Sequence, residues 1–334
     1  MKKYFLIAFL SLFCILMVGC GKNSEKDIIN ELDKKIEKIE GYYLNGELEI
    51  INHEDSYLYD VEVAYQKDDN FRVSLKNKTN NHEQIILKNS EGVYVLTPSL
   101  NKSFKFQSEW PYNNSQVYLL QTILKDLKQD ENRIFEQLEE GYLFTTKVNY
   151  SNSDNLNKQK ITMDKNLNIK QVIVLNQKDQ EYMKMNFNSI DYKATYDDSY
   201  FTLQGNMKNV ETTTTSKTLD SIIYPMYIPE NTQLSGQERI ETTNGERVIL
   251  TFSGDNPFML VQENVSVSEE ILTIPMYGEP EIITGTVGAL SSSSVTWVNN
   301  GVEFYIVSDT LTSSELLDVA NSINVVTVSK WWNN

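Results

Sequence analysis

From Asp27, apolar residues recur at Ile29, Leu32, Ile36 and Ile39 with Lys and Glu between them. That is the spacing of one helix face, and it predicts an amphipathic helix to about Glu40 with Gly41 as its stop. Beyond Gly41 the period changes to two. Leu44, Gly46, Leu48 and Ile50 alternate with Asn45, Glu47 and Glu49, and Val61, Val63 and Tyr65 alternate with Glu62, Ala64 and Gln66. Such alternation predicts half-buried antiparallel strands. Further strands are expected around 71–76, 83–88, 92–97, 103–107, 142–150, 159–163, 169–175 and 181–190. Turn clusters such as Asp68-Asp69-Asn70 and Asn176-Gln177-Lys178-Asp179 separate them. So many strands in tandem predict one large, strongly curved antiparallel sheet. Helical spacing returns at Val117, Leu120, Leu124 and Leu127, and again at Ile134, Phe135 and Leu138. These segments are expected to be helices that cover one face of the sheet.

Residues 206–221 are polar and without period, which predicts a linker and places a first domain at 27–205 and a second at 222–330. In the second part, the segments 239–243 and 246–252 flank Asn244-Gly245, and 295–298 and 302–307 flank Asn299-Asn300-Gly301. Both read as hairpins. Thr312 and Glu315 form a capping-box pair ahead of Leu316, Val319, Ala320 and Ile323, which share a helical face. The expected fold class is α+β: a curved antiparallel sheet covered by helices, followed by a small α+β domain.

The N-terminus stands apart from this folding pattern. Lys2 and Lys3 precede an apolar run from Tyr4 to Val18 and then Met17-Val18-Gly19-Cys20. A basic head, a short apolar stretch and small residues before a cut are the marks of an export signal, whereas a spanning helix needs ~20 apolar residues. The run resembles the bacterial lipobox, with Met17 where Leu is commoner. That resemblance implies removal of residues 1–19, a diacylglyceryl thioether on Cys20, and a short tether over 20–26. Cys14 leaves with the signal, so the mature chain has no intrachain disulfide. The expected location is extracytoplasmic, lipid-anchored to the cell membrane or the spore membrane.

The formal charge of −16 argues against nucleic acid as a partner, since phosphates require Lys and Arg. It also opposes adsorption to anionic headgroups, which leaves the acyl chains on Cys20 as the membrane attachment. The residues available for catalysis are few. His53 and His82 both sit in polar turns and are expected to be solvated. Asp197-Asp198 and Glu139-Glu140 are adjacent in sequence and poorly placed to converge on one substrate, and Asp68-Asp69-Asn70 and Asp154 fall short of a calcium loop. No nucleophile elbow or phosphate-cradling glycine loop appears. No metal, no cofactor and no enzymatic activity are expected.

What remains is apolar surface. Met183, Met185 and Phe187 alternate on one strand, and with Leu48, Val63 and Val73 they are candidates to line a concave apolar face. Ordinary core packing beneath the helices accounts for the same stripe. Trp331 and Trp332 in the polar tail mark a partner contact, a membrane-interface contact or a fold-back onto the second domain.

Several segments resemble the outer-membrane lipoprotein-carrier (LolA-type) superfamily over residues 27–204. They are the entry helix, the strand opened by Asp69-Asn70-Phe71-Arg72-Val73, the run Ser90-Glu91-Gly92-Val93-Tyr94-Val95-Leu96-Thr97-Pro98, and the close Phe187-Asn188-Ser189-Ile190 with 197–203. Within that superfamily the chain is most similar to the GerS- and YdcC-like branch, lipid-anchored sporulation and spore-germination lipoproteins of Gram-positive bacteria. Tyr224-Pro225-Met226-Tyr227-Ile228-Pro229 and Gly301-Val302-Glu303-Phe304-Tyr305 resemble the C-terminal module of sporulation lipoproteins. The domain order is also similar to that of periplasmic regulators of the envelope-stress anti-sigma factor.

The resemblance implies a half-barrel with an apolar cavity able to take acyl chains. The carrier's basic residue falls on Lys67, with Asp68 where the carrier has Pro. Two roles follow from it. The first is a binding protein that positions or regulates an envelope or cortex-modifying protein during sporulation or germination. The second is a carrier of an acyl chain or lipoprotein in the cavity.

Overall fold

The computed structural model describes residues 24–52, 55–150, 155–207, 219, 221–242, 245–265, 267 and 270–323. The expected signal segment, Cys20, His53, Asp154, residues 208–218 and 220 of the expected linker, and the Trp331-Trp332 pair lie outside the described residues.

The described chain is α+β and dominated by strands in two open sheets. Helix α1 (Glu25–Glu37) starts at Ser24, whose hydroxyl accepts from the Asp27 N–H while the Asp27 carboxylate accepts from Ser24, a reciprocal cap. Ile28, Ile29, Leu32 and Ile36 form its buried face. The helix ends at Glu37, earlier than the sequence predicts, and Gly41 serves another purpose. A Cβ there would lie 2.5 Å from the Ala194 carbonyl oxygen, so Gly41 permits close backbone approach at the start of the first strand.

The first sheet grows from two meanders. β1 (Gly41–Asn52), β2 (Asp55–Gln66), β3 (Asn70–Asn77), β4 (Glu83–Asn89), β5 (Gly92–Thr97) and β6 (Lys102–Phe106) pair in succession. The chain then crosses the sheet through α2 (Leu120–Gln129). It returns as β7 (Ile134–Leu138), β8 (Gly141–Lys147), β9 (Leu156–Asp164), β10 (Ile169–Asn176) and β11 (Glu181–Asp191), which closes onto β1. Alternation decides the faces. Leu44, Leu48, Val61, Val63 and Val73 point into one core with α1 and α2. The opposite face around Ile85, Leu87, Tyr94 and Leu96 is covered by the segment that carries Tyr196, Phe201 and Met207. Within that segment, short helix α3 (Leu203–Asn206) places the Asn206 side chain to accept from Arg72 Nε at 2.6 Å.

One expected helix is a strand instead. Ile134, Phe135 and Leu138 lie on strand β7, because a tight turn brings Leu138 opposite Gly141 and the Phe135 ring packs on Tyr142 and Phe144. The turn after Lys67 excludes proline at position 68 for a local reason. Asp68 and Asp69 take φ of 70° and 62°, which the proline ring cannot adopt.

The second sheet runs β12-β13-β14-β19-β18-β17-β16 and is antiparallel throughout. Its strands are β12 (Thr232–Thr242), β13 (Gly245–Gly254), β14 (Phe258–Asn264), β16 (Glu279–Ile283), β17 (Thr286–Leu290), β18 (Ser294–Asn299) and β19 (Val302–Val307). Helix α4 (Ser313–Asn321), capped by Thr312 and Glu315 as the sequence predicts, buries Leu316, Val319 and Ala320 against it.

The two sheets are locked together. Strand β15 (Leu272–Met276), from the second part of the chain, pairs in parallel with β6 and forms the edge of the first sheet. All five residues of β17 are buried. Val287 and Ala289 join the first core while Leu290 joins the second, so this strand separates and supports both. Gly285, at φ +74°, lets the turn before β17 lie against the Tyr57 ring, where a Cβ would approach to 2.4 Å.

Candidate functional site

Along the seam between the sheets lies a cavity of about 800 Å³. The first sheet contributes Ile50, Ile86, Glu181, Tyr182 and Met183, while Trp110, Val117 and Tyr118 come from the crossover and Tyr150 comes from the segment after β8. The second part of the chain contributes Tyr227, Glu281, Ile282, Val287, Leu317 and Asp318. On β11 a register shift opposite Val174 and Leu175 interrupts the alternation, and Glu181, Tyr182 and Met183 all line the cavity, with Met183 almost fully buried at the wall. α4 presents Leu317 and Asp318 to the same space from the other side.

The wall is aromatic and aliphatic, and the charge facing it is mainly negative. Burial pushes the hydroxyls of Tyr118 and Tyr150 well above their usual range, with the Glu281 carboxylate adding to the shift. Tyr182 is pushed up to about 12 by burial, then by Glu281 and Asp318. Glu281 lines the same cavity as the three rings. Lys178 is the one lysine in the lining.

A second polar cluster lies behind the wall. Asp126 on α2 accepts from Gln159 Nε2 at 2.8 Å, yet burial raises its carboxyl to about 6. Asp130, one turn on, accepts from Thr146 Oγ1 at 3.1 Å and from the Lys147 N–H at 2.8 Å. These bonds tie α2 to β8 and β9 and give the cluster a structural role.

Of the six residues singled out from sequence, Met183 lines the seam cavity. Leu48, Val63, Val73 and Met185 have no exposed surface and Phe187 is 7% exposed, all within the core under the helices. His82 is partly buried rather than solvated, and burial lowers its pKa. Asp197-Asp198 and Glu139-Glu140 do not line the cavity. Among the described residues, no group of three or more His, Cys, Asp or Glu side chains could hold a metal ion, and no helix is long and apolar enough to cross a membrane. Sequence reasoning missed Glu281, Asp318 and the tyrosines. The readable signal was β17, Thr286-Val287-Gly288-Ala289-Leu290, a continuous small and apolar run of the kind buried on both faces.

No protein-family model matches the chain. It is 33% identical over 328 residues to the sporulation protein YdcC of Bacillus subtilis strain 168, an alignment covering 96% of this chain and 97% of the relative. Among solved structures it is similar to a chain of the Pseudomonas aeruginosa MucA/MucB complex, at 13% identity and TM-score 0.34, covering 90% of this chain and 98% of that one. It is also similar to a chain of the complex between the CwlD amidase of Clostridioides difficile and the GerS lipoprotein, at 14% identity and TM-score 0.32, covering 52% and 98%. A LolA superfamily protein from Nitrosomonas europaea matches at 11% identity and TM-score 0.31, covering 54% and 98%.

Proposed function

The chain belongs to the family of the sporulation protein YdcC, and from that premise we propose that it is an extracytoplasmic, non-catalytic binding lipoprotein. It is held to the membrane through acylated Cys20 and positions or regulates a protein of the envelope or spore cortex during sporulation or germination. In this reading the first sheet is the half-barrel of a lipoprotein carrier that no longer shuttles, because a chain fixed by its N-terminal lipid stays at its membrane. The smaller second domain turns the scaffold into a two-part docking body.

The observation that carries the reading is the end-to-end kinship with a sporulation protein, which spans both sheets. The seam supports it physically. A cavity built jointly by two docked sheets recognises a shape only while both parts are in place, which suits a binding protein.

The experiment is a pull-down with the mature lipoprotein, solubilised in mild detergent from sporulating membranes, with lipid extraction of the same sample. A stoichiometric protein partner, lost from the membrane fraction in a Cys20→Ala strain, supports the proposal. A stoichiometric acyl ligand with no protein partner would replace it with a carrier role, and turnover of peptidoglycan by the purified protein would replace it with an enzymatic one.

A further inference from the structure

The seam cavity combines three features that select a ligand chemistry. Its wall carries the aromatic rings of Tyr118, Tyr150 and Tyr182. Glu281 and Asp318 line the same space, and after burial their negative charge adds to the upward shift of the Tyr182 hydroxyl. Rings and carboxylates around a sheltered space are what a lysine or arginine side chain binds, through cation–π attraction and charge together. An anionic headgroup would meet repulsion at the same place.

The third feature lies outside the mouth. Tyr227 lines the cavity and is 44% exposed, and its neighbour Met226 is 81% exposed. The Met226 N–H donates to the Ser322 carbonyl at 3.2 Å, which fixes this segment beside the end of α4. Ile228 is exposed as well. A methionine held open by its backbone next to a cavity is an adaptable apolar shelf. A small cation would leave the shelf uncovered, whereas a polypeptide covers both.

We infer that the seam cavity is a peptide-docking site for a partner segment that inserts a lysine or arginine side chain between the tyrosines and the Glu281 and Asp318 carboxylates while laying an adjacent large apolar side chain on Met226 and Tyr227. The inference rests on the binding role proposed above and names the site and the partner's chemistry. Charge complementarity commits it to a basic segment, since the chain as a whole carries −16.

The test is fluorescence anisotropy with the full mature chain in detergent micelles and fluorescein-labelled peptides of alternating Lys and Leu, alternating Lys and Ser, and alternating Glu and Leu. The Lys/Leu peptide is expected to bind tightest. The Glu281→Gln, Asp318→Asn double variant should weaken it by about tenfold, as two modest charge interactions imply. Met226→Asp, a change at an exposed side chain that spares the core, should weaken the Lys/Leu peptide and leave the Lys/Ser peptide unchanged. Glu136→Gln, on distant β7, should change nothing, and unchanged melts will show that the variants are folded.

Equal binding of the Glu/Leu peptide, or binding that survives both cavity and shelf variants, overturns the inference. Displacement of the Lys/Leu peptide by a fluorescent fatty acid would also overturn it, in favour of an acyl site. The two proposals fail separately. If the pull-down partner is captured equally by the double variant, the binding role stands and the site is elsewhere. If no partner is captured by either form, the role itself fails.

Discussion

The side chain of Gln84 treats Val287 as a strand partner. Its Nε2 donates to the Val287 carbonyl at 2.8 Å, and its Oε1 accepts from the Val287 N–H at 2.5 Å and from Thr286 Oγ1 at 2.6 Å. Gln84 is 4% exposed, so these bonds form away from water, and they join residues some two hundred positions apart across the seam. Gln84→Leu keeps the volume and strands both backbone groups. The expected loss is about 2–3 kcal/mol of stability, read from urea unfolding, since each unsatisfied buried group costs about 1–3 kcal/mol. A change below about 0.5 kcal/mol would mean that the seam opens readily in solution.

A second clamp is the ion pair of Lys102 and Glu303, in which Nζ lies 2.6 Å from both carboxylate oxygens and the side chains are 10% and 20% exposed. Breaking such a pair from one side leaves a charge with little water. Lys102→Met and Glu303→Leu should each destabilise by about 3 kcal/mol, while the double variant should lose far less than their sum. Thermal and urea unfolding of the four proteins provides the cycle, and additive losses would show that the pair is effectively solvated.

These contacts also show what was legible in the sequence. The alternation in β1 and β2, the Asn299-Asn300-Gly301 turn and the Thr312–Glu315 cap are local rules, and each predicted its element. Ile134, Phe135 and Leu138 misled because five residues fit either period, and pairing with β8 decided the matter. β15 was invisible for a deeper reason: a short parallel edge strand is specified by its distant partner β6, and nothing local announces it. The cavity inherits that limit. Glu281 and Asp318 look like ordinary surface acids until the seam brings them to face Tyr182. Gln84 did carry a local sign, a lone amide beside Ile85 and Ile86 in a strand.

Asp126 predicts a pH dependence. Burial raises its carboxyl from the ordinary 3.8 to about 6. A folded-state value above the unfolded one gives stability that is full below about pH 4 and lost as pH rises through about 6. Asp126→Asn should therefore be more stable than wild type above pH 6, by about 3 kcal/mol, with the difference vanishing near pH 4. Burial of His82 acts in the other direction, lowering stability below pH 6.5. Because His82 is common to both proteins, the difference between their stability–pH curves isolates Asp126. A constant offset at all pH values would contradict this assignment.

Met185 is fully buried on β11, opposite Leu48 and Val172. Met185→Glu places a carboxylate in that core and should cost several kcal/mol, seen as a large fall in Tm or loss of folded protein. Met183→Leu, at the cavity wall, should leave the melt nearly unchanged. A Met185→Glu protein with wild-type Tm and altered binding of a fluorescent fatty acid would place this strand face in an open acyl cavity.

Site-specific photocrosslinking reads directly what occupies the seam. With a photoreactive phenylalanine analogue at Tyr227, at the cavity mouth, irradiation of sporulating cells should give one predominant protein adduct. Mass spectrometry should place the crosslink beside a lysine or arginine next to a large apolar residue, and the Glu281→Gln, Asp318→Asn change should remove it. An adduct with an acyl lipid, or a protein adduct that is indifferent to those two carboxylates, would contradict the account.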